Sequence, residues 1–481
     1  MKRVVLFEKE RENTMIGYIK FENKRKIGDI ELDFFKNQNE VYNTIILAGE
    51  NGCGKTAILN AIANFQEGSY LYEGSSVKKV VYLDENGKAH EILRDKEAIR
   101  YSKPEEVTEE EWEDAKAFTE QDFYSERAEL FEERPYDIRN KKVIFSEARS
   151  GFEVDTTKYN NNDEYYEEDK YEKKGANYSG IVQLLIDLEE EDNSEFIKYA
   201  KINQKCTYEE YMKKNSRILR FKKAYESMFE NLEYVGENSQ TDYKTIYFLK
   251  DEQLINIEEL STGEQQIVFR GADLLYRATN GATILIDEPE LSLHPKWQKK
   301  ILKFYRNLFT DEYGKQIAQL IIATHSQYIV QEAMKDSDNV KVILLKREKR
   351  KIKANVIDKA VLEMHSSAEI NYLAFGVEKK DYHIQLFSAL HNKLQSIPES
   401  GVNGNIKSID RYIKNHKLYD IGKHEKEDTS HYHYYTLPVF IRNAIDHPKS
   451  RRGFSDDELE VSIALLREIY KGVVAENKIS E

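Results

Sequence analysis

The octapeptide GENGCGKT, Gly49 to Thr56, spaces its glycines so that backbone N–H groups can close around phosphate oxygens. It follows the apolar run NTIILA and precedes TAILNAIANF, so a strand, a glycine loop and a helix start succeed one another, and the helix end adds a positive dipole. Gly49, Glu50, Asn51, Gly52, Cys53 and Gly54 are therefore candidates to wrap the phosphates of a nucleotide. Lys55 would face the β and γ phosphates and Thr56 would hold Mg²⁺, which makes ATP and Mg²⁺ the expected cofactors. Cys53 reads as a small space-filling side chain, and no redox role is assigned to it.

In TILIDEPELSLHP, Thr283 to Pro295, two carboxylates directly follow a β-branched apolar run. At a strand end Asp287 would hold Mg²⁺ through its water shell, and Glu288 would position or deprotonate an attacking water. His325 closes the next apolar run in IATHS, where an imidazole can hydrogen-bond a γ-phosphate; a core or turn histidine is the plainer alternative. LSTGEQQ, Leu260 to Gln266, is a loop opening a helix, with Ser261 and Thr262 as capping hydroxyls and Gly263 permitting close backbone approach.

In this order, the four motifs resemble those of the ATP-binding cassette superfamily, whose signature reads LSGGQ. Thr262 stands at the first signature glycine and Glu264 precedes the glutamine pair, a variant similar to the RecF, SMC and OLD-like branch rather than to transporters. DEPELSLHP resembles the form found in ATPases of overcoming-lysogenization and anti-phage defence systems. The resemblance spans about residues 15 to 345. It implies a head-to-tail homodimer, or a higher even oligomer, in which Ser261, Gly263 and Glu264 of one chain complete the nucleotide site of the other.

The elements that must position these residues alternate apolar strands with helical segments, the pattern of an α/β fold with a parallel sheet. MIGYIKF from Met15 and IELDFF from Ile30 read as a hairpin; ATILIDE, QLIIATH and VKVILLK read as buried strands; GEQQIVFRGADLLYRA and HPKWQKKILKFYRNLF read as helices. The expected organisation is an N-terminal ATPase lobe over 1–66, an acidic, partly disordered insertion with a helical lobe over 67–240, a second ATPase lobe over 241–356, and a helical C-terminal domain over 357–481. Within the insertion, KKVVYL and KKVIFSEA read as strands, 105–121 as a polar helix, and 157–174 as a charged loop given no structure. About 200 residues separate phosphate loop and signature, without sustained heptads, which disfavours a long coiled-coil arm.

Composition narrows the setting. The 481 residues carry a net charge of −14 and 33% charged side chains, with no apolar run long enough to span a membrane. The first residues hold too short an apolar stretch for a secretory signal, and two cysteines give no disulfide framework, so a cytoplasmic location is expected. A protein this acidic repels polyanions at long range, so any nucleic-acid contact needs a local basic patch. VKVILLKREKRKIKANV, Val340 to Val356, is that candidate, carrying Lys341, Lys346, Arg347, Lys349, Arg350, Lys351 and Lys353 against Glu348; a solvated charged hairpin is the alternative.

The tail from Glu369 and from His431 is similar to those of stand-alone defence ATPases, including the ATPase subunit of Septu. Arg442, Asn443 and His447 form R-N-x-x-x-H, a motif resembling that of HEPN ribonucleases, where arginine stabilises phosphate charge and histidine acts on the ribose 2′-OH. An active nuclease, a degenerate or structural helix, and a partner- or nucleic-acid-binding surface are the three readings it allows. The preferred expectation is an ATP-dependent dimeric switch controlling a partner nuclease in bacterial antiviral defence. The alternatives are a self-contained HEPN-like ribonuclease and a RecF-like repair ATPase.

Overall fold

The computed structural model describes residues 15–22, 27–66, 77–84, 87–94, 99–101, 143–147, 178–203, 205–237, 245–278, 281–348, 351–356, 361–362, 366–428, 433–447 and 453–480. The expected polar helix at 105–121, the charged loop at 157–174, and Lys349, Arg350, His431 and Pro448 lie outside the described residues. The chain divides into two compact units, Met1–Val356 and Ile357–Glu481.

In the first unit β1 (Met15–Phe21) pairs antiparallel with β2 (Ile30–Asp33), and the short hairpin of β3 (Phe35–Asn37) and β4 (Glu40–Val41) leads into β5 (Thr44–Ala48). β6 (Val77–Leu83), β7 (Ala89–Arg94) and β8 (Ile99–Tyr101) extend the first sheet in the order β2-β1-β6-β7-β8. β9 (Val143–Ser146) stands apart from them. β10 (Leu232–Glu237), β11 (Ile246–Lys250) and β12 (Gln253–Asn256) form a small antiparallel sheet. With β13 (Thr283–Asp287), β14 (Gln319–Thr324), β15 (Val340–Glu348) and β16 (Lys351–Val356), the described residues build a six-stranded sheet in the order β16-β15-β5-β14-β13-β9. Every pairing in it is parallel except the β15–β16 hairpin.

This mixed sheet with flanking helices is the α/β architecture expected. Its strands are apolar on both faces because both are covered; all five positions of β5 and of β13 are buried. Ile45, Leu47, Ile58, Leu59, Leu285, Ile321 and Ile343 share one core. The parallel register brings the C-terminal ends of β5, β13 and β14 side by side, so the phosphate loop, the acidic pair and the histidine emerge at one edge.

The segment expected as an acidic insertion with a helical lobe over 67–240 also gives strands to the sheets of the first unit. β6 pairs with β1, and β9 pairs in parallel register with β13, so strands from this segment complete both sheets. A strand's partner is chosen by tertiary register, which acidic flanks conceal in the sequence. The Tyr178–Ile202 and Arg217–Met228 helices do supply a helical part, joined by buried Asp192, which accepts from Ser216 Oγ at 2.7 Å and the Ile218 N–H at 3.0 Å.

The second unit is mainly helical, with helices Lys379–Gln395, Ile406–Asn415, Leu437–Asp446 and Asp456–Ser480 around a core that includes Leu386, Leu390, Ile409, Ile441 and Ile463. It also contains a two-stranded sheet, β17 (Glu425–Asp428) with β18 (Tyr434–Thr436), which the sequence did not announce. Among the described residues, no helix is long and apolar enough to cross a membrane.

Candidate active site

β5 ends in the phosphate loop, and the Lys55–Gln66 helix begins within it with no acidic residue in its first turn. Its free N–H groups and positive end are therefore open to an anion. Gly52 and Gly54 hold φ of 80° and 97°, conformations glycine adopts freely. Lys55, 4% exposed, is folded into the loop: its Nζ donates to the carbonyls of Gly49 at 2.8 Å and Glu50 at 3.0 Å. Those carbonyls occupy the ammonium that a phosphate would claim. Cys53 is buried, its Sγ 4.0 Å from Lys55 Nζ, and fills space beneath the loop.

Thr56 and Asp287, 231 positions apart, meet directly: Thr56 Oγ1 donates to Asp287 Oδ2 at 2.7 Å. Asp287 Oδ1 is buried with no hydrogen-bond partner. Burial raises the Asp287 carboxyl above its ordinary range, opposed by the Thr56 hydrogen bond. An orphaned carboxylate oxygen beside a hydroxyl suits a hard cation with oxygen ligands, so Thr56 and Asp287 fit the expected Mg²⁺.

Glu288 sits in the left-handed region at φ 43°, a conformation that costs a non-glycine residue about 1–3 kcal/mol. Its surroundings enforce it. The Glu288 N–H donates to the Ala323 carbonyl at 2.9 Å, and the buried guanidinium of Arg270 reaches the carbonyls of Asp287 at 3.1 Å, Glu288 at 3.4 Å and Glu147. His325 Nδ1 lies 3.4 Å from Glu288 Oε1 and 3.2 Å from Glu290 Oε1. Glu290, 3% exposed, accepts at Oε1 from the Thr324 hydroxyl at 2.6 Å and from the N–H groups of His325 at 2.9 Å and Ser326 at 3.1 Å. With carboxylates facing Nδ1, the neutral ring carries its proton on that nitrogen, which leaves Nε2 as the acceptor.

Glu290 and Arg270 are the functional candidates that sequence reasoning passed over. Glu290 was visible as the second acid of DEPE, and Arg270 as a cation inside the apolar helical stretch IVFRGADLL; neither signal told what it would touch.

The signature loop opens the Thr262–Arg277 helix, with Ser261 and Thr262 exposed. Glu264 is buried and engaged within its own chain. Its carboxylate closes a capping box onto the Ser261 N–H at 2.7 Å and pairs with Lys250 at 2.9 Å. Gly263 is required from within the chain as well: a Cβ there would lie 2.9 Å from Trp297 Cζ3. Gln265 Nε2 donates to the Leu260 carbonyl at 2.9 Å and shapes the loop from beneath.

The basic stretch forms the β15–β16 hairpin. Lys341 leaves the candidate patch, since its half-buried ammonium donates to the Phe35 carbonyl at 3.2 Å. In the second unit, Arg442 donates to Asn443 Oδ1 at 2.9 Å and pairs with Asp446 at 2.8 Å; Asn443 is buried, and His447 follows the helix end. These contacts are those of a tied-down helix terminus. Among the described residues, no group of three or more histidine, cysteine or acidic side chains could hold a metal ion by itself.

The family described as "AAA domain, putative AbiEii toxin, Type IV TA system" matches residues 45–331, which include the phosphate loop, the signature, the acidic pair and His325. "Retron Vc95 probable ATPase" of Vibrio cholerae serotype O1 biovar El Tor is 30% identical over 116 residues, covering 22% of this chain and 21% of that protein. The chain thus matches about a fifth of that relative's length. Among solved structures, "Crystal structure of the SmcHead bound to the C-winged helix domain of ScpA" covers 72% of this chain and 99% of its own at 13% identity and TM-score 0.39. "SMC head domain from Thermotoga maritima" has the same coverage at 10% identity and TM-score 0.38.

Proposed function

This chain belongs to the AAA-domain ATPase family whose description names the AbiEii toxin, and from that premise we propose that it works as an ATP-dependent dimeric switch governing a nuclease in antiviral defence. The observation that carries the ATPase reading is the 2.7 Å contact between Thr56 and Asp287, with Glu288 and His325 on the same sheet edge. The partial likeness to a retron ATPase supports the defence setting. The dimer, the partner nuclease, a place beside the Septu ATPase subunit, and a nucleic-acid contact at the basic hairpin belong to the same proposal. A cytoplasmic location belongs to it too.

Bound Mg·ATP supplies the transferable phosphoryl group and the charge of the ion. On the protein side, the loop N–H groups and the helix end hold the phosphates. Lys55 exchanges its carbonyl partners for phosphate oxygens, while Thr56 and Asp287 hold the ion. Glu288 orients a water and accepts its proton. His325, steadied through Nδ1 by Glu290, offers Nε2 to the γ-phosphate. Ser261 and Gly263 complete the site of a second chain.

Two substitutions test this. Lys55→Ala should abolish binding of a fluorescent ATP analogue. Glu288→Gln should bind ATP normally, lower turnover roughly 10²–10⁴-fold, and accumulate an ATP-held dimer in light scattering. Wild-type turnover in Glu288→Gln would remove Glu288 from its assigned role. The effector arrangement is tested by assaying purified protein on RNA: we expect no cleavage without a partner nuclease, and cleavage lost in His447→Ala would favour the HEPN-like alternative.

A further inference from the structure

The two faces of the β15–β16 hairpin differ in kind. On one face Ile352 is 2% exposed, and a Cβ on Gly54 would lie 2.2 Å from Ile352 Cδ1. On the same hairpin the Leu345 carbonyl stands 2.4 Å from where a Cβ on Gly49 would sit. The underside of the hairpin therefore touches the phosphate loop near both of its ends, closely enough that only glycine fits.

On the opposite face Lys346 stands directly across from Lys353, and Lys351 directly across from Glu348. All three lysines are exposed. Like charges facing each other across antiparallel strands repel, and the exposed Glu348–Lys353 ion pair offsets only part of that. An external anion would relieve that repulsion. Residues two apart on a strand advance about 6.8 Å, so the backbone attachment points of Lys351 and Lys353 are spaced comparably to successive phosphates on a nucleic-acid strand, to which their long side chains can adjust. Asn355 continues this face, which carries no exposed apolar side chain among the described residues, so it lacks what a lipid surface would take up.

We propose that Lys346, Lys351 and Lys353 bind a nucleic-acid phosphate backbone, and that occupancy of this ridge is coupled through Ile352 and Gly54 to nucleotide affinity at the phosphate loop. Binding restrains the hairpin, the hairpin holds the loop in its phosphate-ready shape, and ATP binds more tightly. By linkage, ATP tightens nucleic-acid binding by the same factor. The coupling rests on the ATPase reading; the ridge does not.

The test uses the full chain, a fluorescein-labelled mixed-sequence DNA oligonucleotide read by anisotropy in the absence of nucleotide, and a fluorescent ATP analogue. Wild type should bind the DNA, and saturating DNA should tighten the analogue about fivefold. Lys346→Glu/Lys353→Glu should weaken DNA binding at least tenfold and reduce the salt slope by up to about 0.9 per lost phosphate contact on duplex. Its analogue affinity without DNA should be unchanged. Ile352→Val, which keeps the fold, should bind DNA as wild type does while the fivefold response shrinks. DNA binding unchanged in the double lysine variant overturns the ridge, as does lysine-dependent capture by phosphatidylserine vesicles without DNA binding. DNA binding that leaves analogue affinity unmoved in wild type overturns the coupling. Failure of wild type to bind the analogue at all overturns the ATPase reading and the coupling together, while the nucleotide-free anisotropy still decides the ridge.

Discussion

Glu290 gathers three donors onto one buried oxygen and presents the same oxygen to His325, so it ties the end of β14 to the acidic turn after β13. This gives it a positioning role that a purely structural carboxylate would lack. Glu290→Gln keeps an oxygen for those donors but removes the charge facing Nδ1. We expect kcat to fall about tenfold with KM within twofold, less than the roughly 10²–10⁴-fold of a group that itself transfers the proton, together with a displaced pH profile of kcat. A lowered melting temperature with an unchanged pH profile would reduce Glu290 to a structural part. The letters of DEPE were legible in the sequence, and motif spacing and strand-end position made Lys55, Thr56, Asp287, Glu288 and His325 candidates, His325 with a core or turn role as its alternative. What Glu290 and Arg270 do was not legible, because each acts on atoms that only the sheet register brings near.

Among the elements, the signature helix and the Pro295–Leu308 helix meet where Gly263 leaves room for Trp297, whose ring stands edge-on to Phe229 at 5.1 Å. Gly263→Ala should cost about 1–3 kcal/mol by overpacking, read as a lower denaturation midpoint. Unchanged stability with lost ATPase activity would show that the glycine serves the partner chain's nucleotide alone. In the second unit, the Lys379–Gln395 and Asp456–Ser480 helices bury His383 against Ser462, with Nε2 2.8 Å from Oγ. Burial holds the His383 pKa at about 3, against 6.5 for the free side chain. Between those values the unfolded chain binds a proton that the folded unit refuses, so stability falls as pH drops from 6.5 toward 3 and is fully present above 6.5. Protection factors for amide exchange in these two helices should fall as pH drops across that window, and His383→Gln should flatten the response; an equal response in the variant would place the sensitivity elsewhere. Strands and helices of the ATPase portion were legible from apolar period and capping residues. The sheet partners of β6 and β9 were not, since a short strand records its burial but not its neighbour.

For the whole molecule, the exposed Ser261 at a helix start and the Lys55 loop are expected to meet only between chains. Co-assembling Lys55→Ala chains with Ser261→Arg chains yields heterodimers in which one site carries both lesions and the other carries neither. ATP turnover above that of either variant alone should return; heterodimers that stay inactive would mean that each chain hydrolyses ATP by itself. One clamp within the first unit has a bearing on how such a molecule is made. Gln319 holds β1 to the central sheet through the Ile16 N–H and carbonyl, each at 2.9 Å, across 303 positions of sequence. β5 likewise finds its neighbours only in β14 and β15. At about 5–20 residues per second, a ribosome needs roughly 15–60 s to deliver those partners after the phosphate loop has been made. The nascent chain therefore passes through most of its synthesis with β5 unpaired, although β1, β2, β3, β4 and β6 already have partners among themselves. A fragment released before β14 would carry the phosphate loop, the signature and the acidic pair but neither His325 nor the strands that bring the others to one edge, so an interrupted message should yield no assembled nucleotide site.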